Sequence, residues 1–279
     1  NENPYMLSVT ANGVLNWDRA YDDPTARLNW TCDAAFMPNT GQLFATGRDR
    51  AGGHNNLLME LDPVNGNVIA QTQLNNVGAS GEYGRNLIID NGRLVTVGYT
   101  QENIFLASTN ANLNATNSII YDGGSAEYGH DVIPNIQGNG YIITGKRAGG
   151  LSGQNGVVIN ADEFGNVIWD FEYDLGGFEV FTSVRPLIGN NGYVVSGRTD
   201  AAGAGGFDAL VVVLDQAGGI INAMTFGGVN DEVATCAIQT ADLGFAIFGE
   251  TTSFGHGMSD LYLVKVDQAG VLEWSYAYG

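Results

Sequence analysis

Gly244-Phe245-Ala246-Ile247-Phe248-Gly249, Asp260-Leu261-Tyr262-Leu263-Val264-Lys265-Val266-Asp267 and Gly270-Val271-Leu272-Glu273-Trp274 follow one another at the end of this chain, the first two joined by a Gly-rich stretch. The same order recurs upstream. An apolar run closes on glycine at Gly47, Gly98, Gly145, Gly197 and Gly249. A turn before the last apolar segment falls at Gly13, Gly66, Asn112, Gly165, Gly218 and Gly270. The repeat is about 52 residues long, a length that reads as one supersecondary unit stacked on its copies.

Each unit reads as four short strands, a to d. Strand a is read from segments such as Glu179 to Leu187 and Glu232 to Gln239. Strand b is the run closed by glycine. It follows Asn91-Gly92, Asn139-Gly140 or Asn191-Gly192, the strongest short hairpin signal because both residues accept positive φ. Strand c is a near-continuous apolar run, as in Ala209 to Leu214, expected of a strand covered on both faces. Strand d carries Trp17, Trp169 or Trp274 four positions after the turn residue, where an aromatic packs one unit on the next. Four-stranded units at this period predict an all-β chain, a β-propeller of antiparallel blades. The blades are expected at 24–75, 76–123, 124–175, 176–228 and 229–279, in a single domain, 1–279. Residues 1–21 match strands c and d alone, an N-terminal half-blade, so the intact ring is expected to have six or more blades. The a and b strands of that half-blade are expected from sequence after Gly279 or from another chain by β-augmentation.

Composition narrows the partners. Thirty acidic against 11 basic residues give a net charge of −19, which repels nucleic acid and anionic lipid. No apolar run approaches the roughly 18 residues that span a membrane as a helix, so membrane insertion is not expected. The acidic balance and the start at Asn1-Glu2-Asn3-Pro4 point to an extracellular or cell-surface setting. Asn29-Trp30-Thr31 and Asn114-Ala115-Thr116 fit the N-glycosylation pattern. Cys32 and Cys236 fall on strands a of different blades, and two free, buried thiols are expected.

The last unit resembles the propeller repeats of bacterial and archaeal cell-surface and secreted proteins of the Bacteroidota type. The residues that carry this are Thr240-Ala241-Asp242-Leu243-Gly244-Phe245, Gly249-Glu250-Thr251-Thr252-Ser253-Phe254-Gly255-His256-Gly257, Asp260 to Asp267, Gly270, Trp274 and Tyr276-Ala277-Tyr278-Gly279. The resemblance spans the chain and weakens over 76–123. It implies a surface module, adhesin or secreted protein. It does not assign a function by itself.

The most suggestive polar set stands where strand a begins. Glu82, Glu127, Glu179 and Glu232 are equivalent in four successive blades, followed four residues later by Asn86, Asp131, Ser183 and Cys236, with Cys32 as the first-blade equivalent. Two roles fit. The glutamates with Asp131 could form a cation ring of hard oxygen ligands, with Ca²⁺ as the cofactor if there is one. Alternatively each Glu accepts backbone N–H groups of a neighbouring blade's loop, and repetition in every full blade but the first favours that role. Catalytic motifs are absent: His54, His130 and His256 are non-equivalent, and no metal-ligand spacing or nucleophile elbow occurs. The sequence therefore predicts a non-enzymatic module for adhesion, surface assembly or protein binding. Its partners are expected to be other surface or secreted proteins. The alternatives are a glycan-binding or glycan-cleaving propeller, with Tyr83, Tyr128, Phe181, Phe178 and Phe254 as aromatic contacts, and a structural subunit of a surface filament.

Overall fold

Glycine closes strand b at Gly98, Gly197 and Gly249 because a bulge in strand a leaves no room for a side chain. The computed structural model describes residues 5–21, 28–49, 55–74, 81–149 and 153–279, with 28–32 and 49 described in their backbone only. Among these residues strand a is irregular between Thr31 and Asp33, Gly84 and Asn86, Phe181 and Ser183, and Ala234 and Cys236. Such a bulge sets two residues opposite one and re-aims a carbonyl. A Cβ on Gly98, Gly197 or Gly249 would collide with the carbonyl oxygen of Tyr83, Val180 or Val233. The recurring glycine is thus a packing requirement of the recurring bulge.

The described chain is all strand and turn. A two-stranded sheet holds β1 (Tyr5–Val9) and β2 (Leu15–Ala20). Five four-stranded antiparallel sheets follow, each in simple chain order. They are β3 (Leu28–Met37), β4 (Gln42–Asp49), β5 (Asn56–Leu61) and β6 (Val68–Leu74); β7 (Tyr83–Asp90), β8 (Arg93–Tyr99), β9 (Ile104–Asn110) and β10 (Ala115–Tyr121); β11 (Glu127–Pro134), β12 (Tyr141–Gly149), β13 (Gly153–Ala161) and β14 (Val167–Tyr173); β15 (Val180–Pro186), β16 (Gly192–Thr199), β17 (Asp208–Asp215) and β18 (Ile220–Phe226); and β19 (Glu232–Gln239), β20 (Phe245–Thr251), β21 (Asp260–Val266) and β22 (Leu272–Tyr278). These are the a-b-c-d blades of a propeller, and β1–β2 is a c–d half-blade. The chain divides into two compact units, Asn1–Gly129 and His130–Gly279.

Within each unit the core lies between sheets. In the first unit, Phe44, Leu58 and Leu74 meet Leu87, Leu94 and Phe105. In the second, Val194, Val211 and Val213 meet Ala237, Ile247 and Val264. This two-sided burial is why strands c read as unbroken apolar runs. The equivalent face of the last sheet is open instead: Phe248, Leu261 and Trp274 are 44%, 50% and 39% exposed.

Strand d supplies the clasp between neighbours. Trp17 is buried, donates its indole N–H to Pro63 O at 2.8 Å and lies against the turn glycine of the next sheet, where a Cβ on Gly66 would sit 2.7 Å from the ring. Four residues on, the Tyr21 hydroxyl donates to Gly66 O at 2.9 Å. The second unit repeats this: Tyr173 donates to Gly218 O at 2.8 Å, and Gly218 packs on Phe171 and Trp169. Both turn glycines have positive φ, 72° and 85°. In the second blade the left-handed position falls to Leu113 (φ 61°) rather than to the expected Asn112.

Candidate functional site

All four repeated glutamates are fully buried. Glu179 accepts hydrogen bonds from Leu175 N (3.3 Å), Gly177 N (3.1 Å) and Thr199 Oγ1 (2.9 Å). Glu232 accepts from Gly228 N (2.6 Å), Thr251 Oγ1 (2.6 Å) and Ser253 N (3.2 Å). The backbone N–H of Glu127, Glu179 and Glu232 donates to Glu102 O, Gln154 O and Phe207 O, each at the start of the preceding sheet's strand c. Each glutamate with a described hydrogen-bond set therefore ties the linker before strand a to the end of strand b. Glu179 and Glu232 direct their oxygens into separate junctions. Among the described residues no group of three or more His, Cys, Asp and Glu is placed to hold a metal ion. Burial raises the pKa of Glu179, while the Thr199 hydroxyl and the Leu175 and Gly177 amides oppose the rise.

Asp131 serves a different contact. It is buried, pairs with Arg185 and accepts from Val184 N at 2.9 Å on the next strand a. Asp33 does the same in the first unit, accepting from Leu87 N (2.9 Å) and Asn86 Nδ2 (3.0 Å). The first-blade equivalent of Asn86 and Asp131 is therefore Asp33 and not Cys32, a shift of one residue that the bulge makes easy to misread. Ser183 Oγ bonds Cys236 Sγ at 3.7 Å. Cys236 is free and half-buried rather than buried; the Cys32 side chain lies outside the described residues. His54 also lies outside them. His130 Nδ1 bonds Phe181 O at 2.7 Å, and His256 is exposed in a loop.

An unexpected cluster forms where strands a begin and strands b end in the first unit. The Arg48 guanidinium lies 4.3 Å from the centroid of the Tyr83 ring. Tyr83 stacks on Tyr99 at 4.8 Å and 12°, and Tyr128 meets Tyr99 edge-on at 4.7 Å. Arg85 lies 5.4 Å from the Tyr99 centroid and donates to its hydroxyl at 3.4 Å. All five side chains are half-buried. Neither arginine has a carboxylate partner among the described residues, in a chain with 30 acidic residues. Of the aromatic contacts expected for a glycan, Tyr83 has its ring covered by Arg48 and Tyr99, and Phe181 is fully buried against Tyr173. Phe178 packs edge-on to Phe207, and Phe254 stacks on Tyr262.

Comparison with solved structures settles the architecture. The periplasmic gluconolactonase PpgL of Pseudomonas aeruginosa superposes with a TM-score of 0.65 at 9% identity, over 98% of this chain and 77% of that one. Quinohemoprotein alcohol dehydrogenase of Comamonas testosteroni gives 0.57 at 10% identity, over 98% of this chain and 58% of that one. A chain of a nidogen/laminin complex gives 0.51 at 9% identity, over 99% of this chain and 92% of that one. The chain is a β-propeller. No protein family matches it, and no curated protein sequence is similar to it. The lactonase corrects the expectation of a non-enzyme drawn from missing motifs. A propeller assembles its sites from loop residues of several blades, and such a constellation leaves no linear motif. No helix among the described residues is long and apolar enough to cross a membrane.

Proposed function

We propose that this chain is a single propeller domain, residues 1–279, that works outside the cytoplasm and binds protein partners through the mouth where strands a begin. The observation that carries this reading is the Arg48–Tyr83–Tyr99–Arg85 stack. Tyrosine and arginine dominate the energetics of protein interfaces, because each offers a large rigid surface with a polar end. Stacking on the rings fixes both guanidinium planes in advance, which lowers the ordering cost of meeting a carboxylate. With no acidic residue paired to them among the described residues, both can meet an acidic group of a partner. The nidogen/laminin complex supports the reading as an example of this fold in a protein assembly. The acid-rich composition and the resemblance to surface repeats support an adhesive or assembly role outside the cytoplasm.

Selection of displayed peptides on the immobilised protein tests the proposal. Recovered peptides are expected to carry Asp or Glu, and to bind the Arg48→Ala/Arg85→Ala double variant about tenfold or more weakly, as expected when interface anchors are truncated. Equal binding to a double variant with an unchanged circular dichroism spectrum would refute the assignment of the mouth.

A further inference from the structure

We propose that Asp208 and Glu232 form a binding site for a divalent cation of the calcium type, at the junction between the sheets β15–β18 and β19–β22. The site shares no residue with the arginine–tyrosine cluster. Asp208 and Glu232 are 1% and 0% exposed. A Cβ on Gly227 would collide with both Asp208 Oδ1 and Glu232 Oε2. The two oxygens lie 2.1 and 2.4 Å from that one point, so they stand close together against a backbone that has no side chain. Asp208 Oδ1 has no hydrogen-bond partner. No Lys, Arg or His among the described residues pairs with either carboxylate.

The electrostatics of this pair are unbalanced. Glu232 accepts hydrogen bonds from the Gly228 and Ser253 amides and the Thr251 hydroxyl. Asp208 faces this second carboxylate with one bare oxygen. Burial raises its pKa, the Ala204 amide opposes this, and Glu232 adds to the rise. The buried Tyr262 hydroxyl is held above its ordinary range by burial, with both carboxylates adding to the effect. A bare carboxylate oxygen beside a second carboxylate is relieved by a proton or by a metal ion. The repeat favours the ion. At the position of Asp208 the first three four-stranded sheets carry Asn55, Asn103 and Asn155, which are neutral, and the last sheet carries Asp260. An amide of the same shape suffices there for folding, so the added charge at 208 calls for a counter-charge. Hard carboxylate oxygens suit calcium, which completes a shell of about six to eight oxygens with backbone carbonyls and water. A chain of net charge −19 also concentrates cations around itself.

Calorimetric titration with CaCl₂ in KCl-containing buffer near neutral pH tests the site on the wild type, Asp208→Asn and Glu232→Gln. One ion per chain is expected in the wild type, with a Kd on the order of 0.1–1 mM, the range of extracellular calcium modules. Asp208→Asn restores the residue type of the first three four-stranded sheets and should fold, with affinity lowered by about tenfold or more. Scanning calorimetry gives a second readout: CaCl₂ should raise the Tm of the wild type relative to EDTA and leave that of Asp208→Asn unmoved. Two results would overturn the site. One is calcium binding unchanged by Asp208→Asn. The other is a wild-type Tm indifferent to calcium, with an apparent pKa for proton release that Asp208→Asn removes. That second result would show that a shared proton occupies the pair.

Discussion

Replacing Glu179 separates a clip from a ligand. The Glu179→Ala variant removes the acceptor of three donors, the amides of Leu175 and Gly177 and the hydroxyl of Thr199, around a carboxylate with 0% exposure. A buried donor left without a partner costs about 1–3 kcal/mol. Part of that is recovered as the linker opens to water, and the carboxylate's own desolvation cost disappears. The net loss is about 3–5 kcal/mol. At this chain length about 2 °C of Tm is lost per kcal/mol, which predicts a fall of roughly 6–10 °C. Glu179→Gln keeps one carbonyl oxygen and should lose about 1–2 kcal/mol, because its amide group faces donors. Thermal and urea unfolding of the three proteins, in EDTA to remove metals, measure the effect. An alanine variant within about 1 kcal/mol of wild type would refute the clip. A destabilisation present only when calcium is available would restore the ring of metal ligands.

The same carboxylates set a pH dependence. Glu179 and Asp208 both have raised pKa values when folded, so the native state holds protons more tightly than the unfolded chain, and stability should fall as pH rises from the ordinary carboxylate range through the raised values. Chemical denaturation in EDTA across mildly acidic to neutral pH should show that slope, and the Glu179→Gln/Asp208→Asn double variant should flatten it. Gly218→Ala places a Cβ 2.7 Å from Phe171 at a φ of 85°, and should lose about 2–5 kcal/mol from left-handed strain and overpacking. Gly92→Ala, at a φ of 77° with open space around it, should lose only about 1–2 kcal/mol; equal losses by urea unfolding would remove the packing part of the clasp. Trp17→Ala should cost about 3–5 kcal/mol, and Trp274→Ala, 39% exposed, clearly less, measured by scanning calorimetry.

The blades were legible because glycine spacing reports backbone constraint directly. Gly98, Gly197 and Gly249 stand where a carbonyl intrudes, so their period is the period of the bulge. The bulge also hid detail: the extra residue shifts the alternation of strand a, which placed Cys32 where Asp33 belongs and Phe181 near a surface it does not reach. At the second c–d turn, Asn112 reads as the natural left-handed residue, yet Leu113 takes it because its side chain joins the core of that junction. The glutamates were found and their convergence was not, since equivalence along a repeat does not say which way a carboxylate points. The arginine–tyrosine cluster was missed because it joins the ends of different strands. One signal was available: Arg48, Lys146 and Arg198 follow three of the five closing glycines in a chain with only 11 basic residues, while Tyr99 and Glu250 follow the other two.

The clasp assigns its two halves to different repeats. Trp17 and Tyr21 belong to one sheet and Gly66 to the next; Trp169 and Tyr173 belong to one and Gly218 to the next. A blade copied or grafted by itself would bring a vacant glycine seat at one side and an unmatched ring at the other. The transferable piece is therefore offset from the visible repeat, running from one strand d to the following c–d turn. Chimeras cut at that offset should fold where chimeras cut between strands d and a fail.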